Sequence, residues 1–399
     1  MTFARNLLEN LTDKKIGLYV HVPFCRRHCP YCDFPVTVKF EENYFVSLTS
    51  ELNQLKNLNL EIDTIYFGGG TPSMYPDFLK NLLESLFAGF NISQDVELTV
   101  ETNPEDLKNG KYLDFLALYK PRVSLGIQAL DDRVLRFLGR PYKVGDVLTG
   151  LDKLCSLGLT NINGDFIFGV PTRFRRKIVN ELLQALHNLK HVSVYLLTVE
   201  PGTFFFEKSL KSKIDKNEFL DIYELLTSLG FEWYELSNFA KPNYMSKHNI
   251  KYWRHDNVLG IGLGAVSFLR TSKGLFRLFN TKSMSFYNSS QNKVCYFEEL
   301  KPEDLCEEEI IFGLRTIKGL SLPKELLTSA KIIGFVENGF LEQNGTKFRV
   351  SPKGFPYADY IISVILDELK SLRKPKNADK DLSNKRVILG QTWSVSSIP

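Results

Sequence analysis

Between residues 15 and 235 the hydrophobic pattern keeps switching between a period of two and a period of three to four. That alternation limits the fold more than any other feature of the chain. The runs "IGLYVHV" (16–22), "IDTIYFGGG" (62–70), "VELTVETNP" (96–104), "RVSLGIQ" (122–128), "NINGDFIFGVP" (161–171) and "VSVYLLTVEP" (192–201) read as strands. Amphipathic helical patterns separate them, for example at 42–58, at 76–90 and near 176–189. Parallel neighbours must be joined by a crossover, usually a helix. The expected class is therefore α/β. Six such units fit before residue 240, fewer than the eight that close a barrel, so a partial, open (βα)6 barrel is expected. Polar residues at the carboxyl ends of its strands would face one mouth.

Beyond residue 240 the pattern changes. Residues 241–290, rich in Asn, Ser and aromatics, look irregular, and 241–301 reads as a segment closing the barrel. Residues 302–372 read as a small α+β module whose hairpin, "GFLEQNGTKFRVS", turns at Asn344–Gly345. Residues 373–399 lack periodicity and are expected to be a disordered tail. The barrel core is thus set at 1–240. A formal charge of +4 on 399 residues permits an anionic ligand but does not argue for nucleic acid, and no nucleic-acid partner is expected. The chain contains no apolar run of the roughly 18 residues a membrane helix needs. "MTFARNLLENLTDKKIG" carries acids and makes a poor signal peptide. A cytoplasmic location is expected, where structural disulfides are disfavoured.

Against that background the six cysteines divide unevenly. Cys155, Cys295 and Cys306 are scattered. Cys25, Cys29 and Cys32 stand together in "HVPFCRRHCPYCDF" (21–34). Short thiolate gaps bind zinc or iron–sulfur centres. A structural zinc site wants four ligands, usually two separated pairs. Here a single group of three has no second pair, and His28, beside Cys29, is badly placed to close a tetrahedron. Three ligands on a four-iron cluster would leave one iron open to a small molecule.

The C-x3-C-x2-C loop after "YVHVPF", followed one unit later by "GGGTP" (68–72), resembles the radical S-adenosylmethionine superfamily. The resemblance implies a 4Fe–4S cluster on Cys25, Cys29 and Cys32, with S-adenosylmethionine on the open iron and reductive cleavage of its sulfonium. Glu101 in "VETNP", Gln128 in "SLGIQ", Arg140 in "LGRPY" and Asp165 in "INGDFIFGVP" match the subfamily that holds oxygen-independent coproporphyrinogen III oxidase and the HemW-like heme chaperones. Roles follow from that match. Tyr19 and Tyr31 pack near cluster and nucleotide, and Gly68, Gly69, Gly70 and Thr71 border the methionine part. Glu101 and Gln128 hydrogen-bond the ligand, Arg140 pairs with its carboxylate, and Asp165 contacts the ribose or a neighbouring polar atom. The chain departs from the family pattern at Tyr142 and Val266, where histidines are common, and at "TRF" after "FGVP".

Two readings stay open. The oxidases resemble C-x3-C-x2-C-x-C, but residue 34 here is Phe, and "CDF" is what the heme chaperones carry. "HNIKYW" (248–253) matches their H-N-x-x-Y-W motif. His248 and Asn249 could then serve heme, with Tyr252 and Trp253 covering the macrocycle. The resemblance implies a protein that binds heme and passes it to an acceptor protein. It leaves open a homodimer and a transient membrane association. The alternative is oxidative decarboxylation of coproporphyrinogen III. A tRNA-modifying enzyme is disfavoured, because the 302–372 module is not clearly basic. His21 reads as structural.

Overall fold

The computed structural model describes residues 3–174, 177–210 and 217–373. The expected disordered tail lies outside them, apart from Arg373, which ends a helix. The six expected strands are present: β1 (Lys15–Val22), β2 (Glu61–Gly69), β3 (Asn91–Thr102), β4 (Arg122–Gln128), β5 (Ile162–Phe168) and β6 (His191–Leu196). They lie in sequence order and every neighbouring pair is parallel. Helices such as Pro76–Gly89 cross between them, burying Leu79, Leu82, Leu83 and Leu86 at three- and four-residue spacing. Each such side chain contributes roughly 1.5–3 kcal/mol.

The sheet is open, and both edges of the six-strand core are extended. On β6 lies the antiparallel hairpin β7 (Glu232–Glu235) and β8 (Asn238–Ala240). On β1 lies β9 (Val258–Ile261), in parallel, followed by antiparallel β10 (Val266–Thr271), β11 (Gly274–Asn280) and β12 (Val294–Leu300). The stretch 241–290, expected to be irregular, thus carries β9, β10 and β11, which with β7, β8 and β12 bring the sheet to twelve strands among the described residues. Polar residues hid them. Asn257, Ser267, Arg277 and Asn280 are buried there and hydrogen-bonded, which breaks the apolar alternation a strand is recognised by.

The C-terminal part holds helices Pro302–Gly313, Ala330–Glu337 and Ala358–Arg373 beside a sheet of β13 (Leu320–Ser321), β14 (Leu341–Asn344) and β15 (Lys347–Val350). Its hairpin turns one residue later than expected. Asn344 pairs with Lys347, so Gly345 and Thr346 form the loop and Gly345 takes the positive φ of 62°. Phe355 stacks on Phe219 at 3.7 Å, joining this part to the barrel core.

Strand alternation decides what faces inward. The helices cover Val20, Phe67, Val100, Val123, Leu125 and Val194, all fully buried. The intervening positions are polar and bond to one another across strands. Tyr66 donates to Glu101 at 3.0 Å, Ser124 to Asp165 at 3.0 Å, and Asn163 to both Ser124 and Asp165. His191 bridges Asn163 and Tyr234, at 2.7 Å to each. A barrel whose interior is a hydrogen-bonded polar lattice is built to receive a ligand, in contrast to the apolar layers that fill a closed barrel.

Candidate functional site

The cysteine loop leaves β1 at its carboxyl end and is held from several sides. Cys25 N–H donates to Thr37 O at 2.9 Å, and Cys32 N–H to Cys29 O at 3.1 Å. All three thiols are half-buried. Burial pushes Cys25 up to about 11 and Cys32 up to about 12, so these thiols keep their protons until a metal displaces them. Among the described residues no three Cys, His, Asp or Glu side chains are gathered tightly enough for a single metal ion.

The expected residues meet at this mouth. The Thr71 hydroxyl lies 3.7 Å from Cys25 Sγ. Asn103 donates to Thr71 Oγ1 at 3.2 Å, and Arg140 donates to Asn103 Oδ1 at 3.4 Å and to the Tyr31 hydroxyl. A polar chain thus runs from Arg140 to the first cysteine. Gly139, at φ 70°, lets Pro30 of the cysteine loop close on the Arg140 segment, since a Cβ there would sit 2.7 Å from Pro30 Cδ. Gln128 ends β4 with φ 64° and is buried. A non-glycine residue in that conformation costs about 1–3 kcal/mol and such strain clusters at ligand sites. Tyr142, at one position of departure, is buried and donates to Gly126 O on β4.

The glycines pack closely against β1 and its cysteine loop. Cβ atoms at Gly68, Gly69 and Gly70 would strike, in turn, the Tyr66 ring at 2.8 Å, the His21 ring at 2.5 Å and Phe24 O at 2.6 Å. The motif is small so that it can pack against β1 and its cysteine loop. Gly70 N–H donates to Val22 O and Thr71 N–H to Phe24 O, both at 2.8 Å. His21 is closed as a ligand. Its Nδ1 meets the Tyr19 hydroxyl at 3.0 Å and its Nε2 meets Pro35 O at 3.1 Å. A carbonyl can only accept, so Nε2 carries the proton and Nδ1 accepts from Tyr19.

Glu101 accepts from Tyr66 and from Gly69 N–H, both at 3.0 Å. Burial, then the neighbouring Asp165, pushes its carboxyl from 4.5 up to about 7. The folded chain therefore binds more protons here than the unfolded chain does. This carboxyl's contribution is full at acid pH and is lost as pH rises toward about 7. Metal-free Glu101→Gln should lose that slope. It should match wild type near pH 5 and exceed it near pH 8 by about 1–3 kcal/mol in thermal or urea unfolding. An unchanged slope would assign the titration to Glu235, which burial drives to about 7.

The "HNIKYW" residues do not share a face. They lie on the helix Lys247–Trp253 under the barrel floor, where Glu97 accepts the His248 N–H at 3.0 Å. His248 is fully buried. Its Nδ1 is 2.8 Å from the Thr64 hydroxyl and its Nε2 is 3.4 Å from the Tyr252 hydroxyl. Burial, then Lys251, lowers its pKa to about 3, so the ring is neutral. Trp253 instead meets Phe312 edge-on at 5.4 Å, and Asn249 Oδ1 is buried without a partner. In this structure the imidazole is closed to a heme iron.

Several site residues escaped the sequence reading: Tyr66, Asn103, Glu105, Asp106 and Asn163. The period of two on each strand could have found Tyr66 and Asn163, each two residues from a chosen position. Glu105 and Arg140 bear most directly on a ligand. Glu105 Oε2 and Arg140 Nε are buried without partners, and the two side chains lie within electrostatic reach of each other. One buried donor atom and one buried acceptor atom left over on groups of opposite charge would suit a zwitterion, and an α-amino acid moiety is one.

Comparison with known proteins agrees with this geometry. Residues 19–182 match the model of the radical SAM superfamily. The chain is 34% identical to the heme chaperone HemW of Escherichia coli (strain K12) over 65% of its own length and 73% of that protein. It is 32% identical to the heme chaperone HemW of Bacillus subtilis (strain 168), covering 76% and 84% of the two chains. The solved structure of coproporphyrinogen III oxidase (HemN) from Escherichia coli shares the fold, with a TM-score of 0.72 at 20% identity over 91% of this chain and 92% of that one. The fold and its cysteine mouth are those of a radical SAM protein. Within that superfamily the chain belongs to the HemW family.

Proposed function

We propose that this protein is a heme chaperone that carries a 4Fe–4S cluster and S-adenosylmethionine and passes heme to an acceptor protein. The observation that carries this reading is the mouth itself, where three half-buried thiols share a loop whose surroundings include a partnerless Arg140 Nε and a partnerless Glu105 Oε2, in a chain whose relatives at 32–34% identity are named heme chaperones. Phe34 in place of a further cysteine favours it over the oxidase.

Cys25, Cys29 and Cys32 would hold the cluster. When bound, cluster and nucleotide supply one-electron cleavage of a sulfonium. The chain's own part is to bind and orient. Arg140 receives the carboxylate of the methionine moiety, with Asn103 and Tyr31 setting its guanidinium. Glu105 offers an acceptor to the ammonium. Glu101, Gln128 and Asp165 present polar atoms from β3, β4 and β5 toward the rest of the nucleotide. Tyr19 and the residues of "GGGTP" close the side next to β1. No described helix is long and apolar enough to cross a membrane. A cytoplasmic location belongs to the same reading.

The test is anaerobic titration with heme, coupled to an assay for decarboxylated porphyrinogen. Wild type should bind heme and leave coproporphyrinogen III unchanged. Because the His248 ring is enclosed, His248→Ala should keep the heme spectrum while losing about 1–3 kcal/mol of stability. A changed spectrum would return the iron ligand to His248. Turnover of coproporphyrinogen III would restore the oxidase reading.

A further inference from the structure

Asp106 lies just past β3, in the turn Pro104–Lys108, and is 1% exposed. Both of its oxygens are engaged by segments far away in sequence. Oδ1 accepts from Arg26, the residue after Cys25. Oδ2 accepts from the Ser73 hydroxyl at 2.6 Å, and Ser73, just after "GGGTP", is fully buried. The Asp106 N–H donates to Asn103 O at 3.0 Å, which ties the carboxylate to the residue that joins Arg140 and Thr71. Arg26 also lies 3.9 Å from Glu105. One buried carboxylate therefore joins the cysteine loop, the turn after the glycines and the exit of β3.

We propose that Asp106 is a positioning residue, a clamp that holds the Arg26 arm of the cysteine loop against the glycine turn and so keeps Cys25 beside Thr71. The physical case rests on burial. A charge-assisted hydrogen bond is about twice as strong as a neutral one, and removing Arg26 strands the Asp106 carboxylate, 1% exposed, without its charged partner. Nothing else among the described residues bonds the Arg26 side chain except this acidic pair. If the pair is lost, the loop keeps its backbone ties through Thr37 but loses its side-chain anchor. The clamp bears on the cluster only if the loop is the cluster site proposed above, so the first arm of its test uses metal-free protein.

In the full metal-free chain, hydrogen–deuterium exchange of the amides between Cys25 and Cys32 should speed up about tenfold in both Arg26→Gln and Asp106→Asn, the loss of one charged hydrogen bond. Amides of β4 and β5 should not change. The double variant should be no faster than Asp106→Asn alone, because the two residues act as one contact. In cluster-loaded protein, chelator should strip iron several-fold faster from either variant. Unchanged loop exchange in Arg26→Gln, or effects that add in the double variant, would overturn the clamp. So would faster exchange with an unaltered rate of iron loss. Should Asp106→Asn fail to fold, Arg26→Gln decides alone, its side chain being 43% exposed. A chain that takes up no cluster would sink the cluster reading, while the exchange arm would still judge the clamp.

Discussion

Replacing Cys25, Cys29 or Cys32 by serine should abolish the iron–sulfur absorbance and nearly all bound iron in anaerobically reconstituted protein. A serine hydroxyl is a hard, weakly acidic donor where iron–sulfur centres take thiolates, and with three ligands in the chain no spare cysteine lies in the loop. Stability of the metal-free protein should hardly move, because the thiols form no disulfide. The scattered cysteines are the control. Cys155 and Cys295 are exposed, and Cys306 lies against Arg373 at 3.7 Å. Serine there should leave iron content intact. Full iron in Cys29→Ser would show the ligand assignment to be wrong.

Gly69→Val should be the most damaging single change at the glycine motif. Gly69 has φ 108°, which L side chains rarely adopt, and its new Cβ would meet the His21 ring at 2.5 Å. Backbone strain costs about 1–3 kcal/mol and overpacking about 1–3 kcal/mol more. His21 cannot yield freely, since its ring is bonded to Tyr19 and to Pro35 O. Pushing it moves Pro35 and with it the end of the cysteine loop. Thermal stability, cluster retention and nucleotide binding should therefore fall together. Gly110→Ala is the matched control, because a Cβ there meets nothing within 4 Å. Weaker nucleotide binding with cluster and melting temperature unchanged would mean that the glycine faces ligand and not His21.

How far the site could be read in advance is clearest at particular residues. Glu101 and Asp165 were identifiable because they lie on strands whose period of two is a local property, and Arg140 because of the short motif that holds it. Tyr66 and Asn163 obey the same period but sit two residues from the obvious position, where an apolar neighbour masks them. Asp106 carried no usable signal. In sequence it is one acid among several in a surface-like turn, and only its approach to Arg26 and Ser73 makes it a buried anchor. His248 shows the opposite situation. Its motif suggested a ligand, yet Thr64 and Tyr252 occupy both ring nitrogens.

What the amino-acid order determines by itself is short-range: the strand and helix periods, their six-fold alternation, and three thiols within one loop. Those follow from side-chain direction along a few consecutive residues. The tertiary structure decided which atoms remain free, because partners come from distant segments. Thr64 and His248 are 184 residues apart, Tyr31 and Arg140 are 109 apart, and Arg26 and Asp106 are 80 apart. It also decided that β9 to β12 extend the sheet, since their polar inward residues are tolerable only once buried hydrogen bonds satisfy them. The orphaned Nε of Arg140 and Oε2 of Glu105, and the enclosure of both His248 nitrogens, are thus properties of packing, which no local pattern encodes.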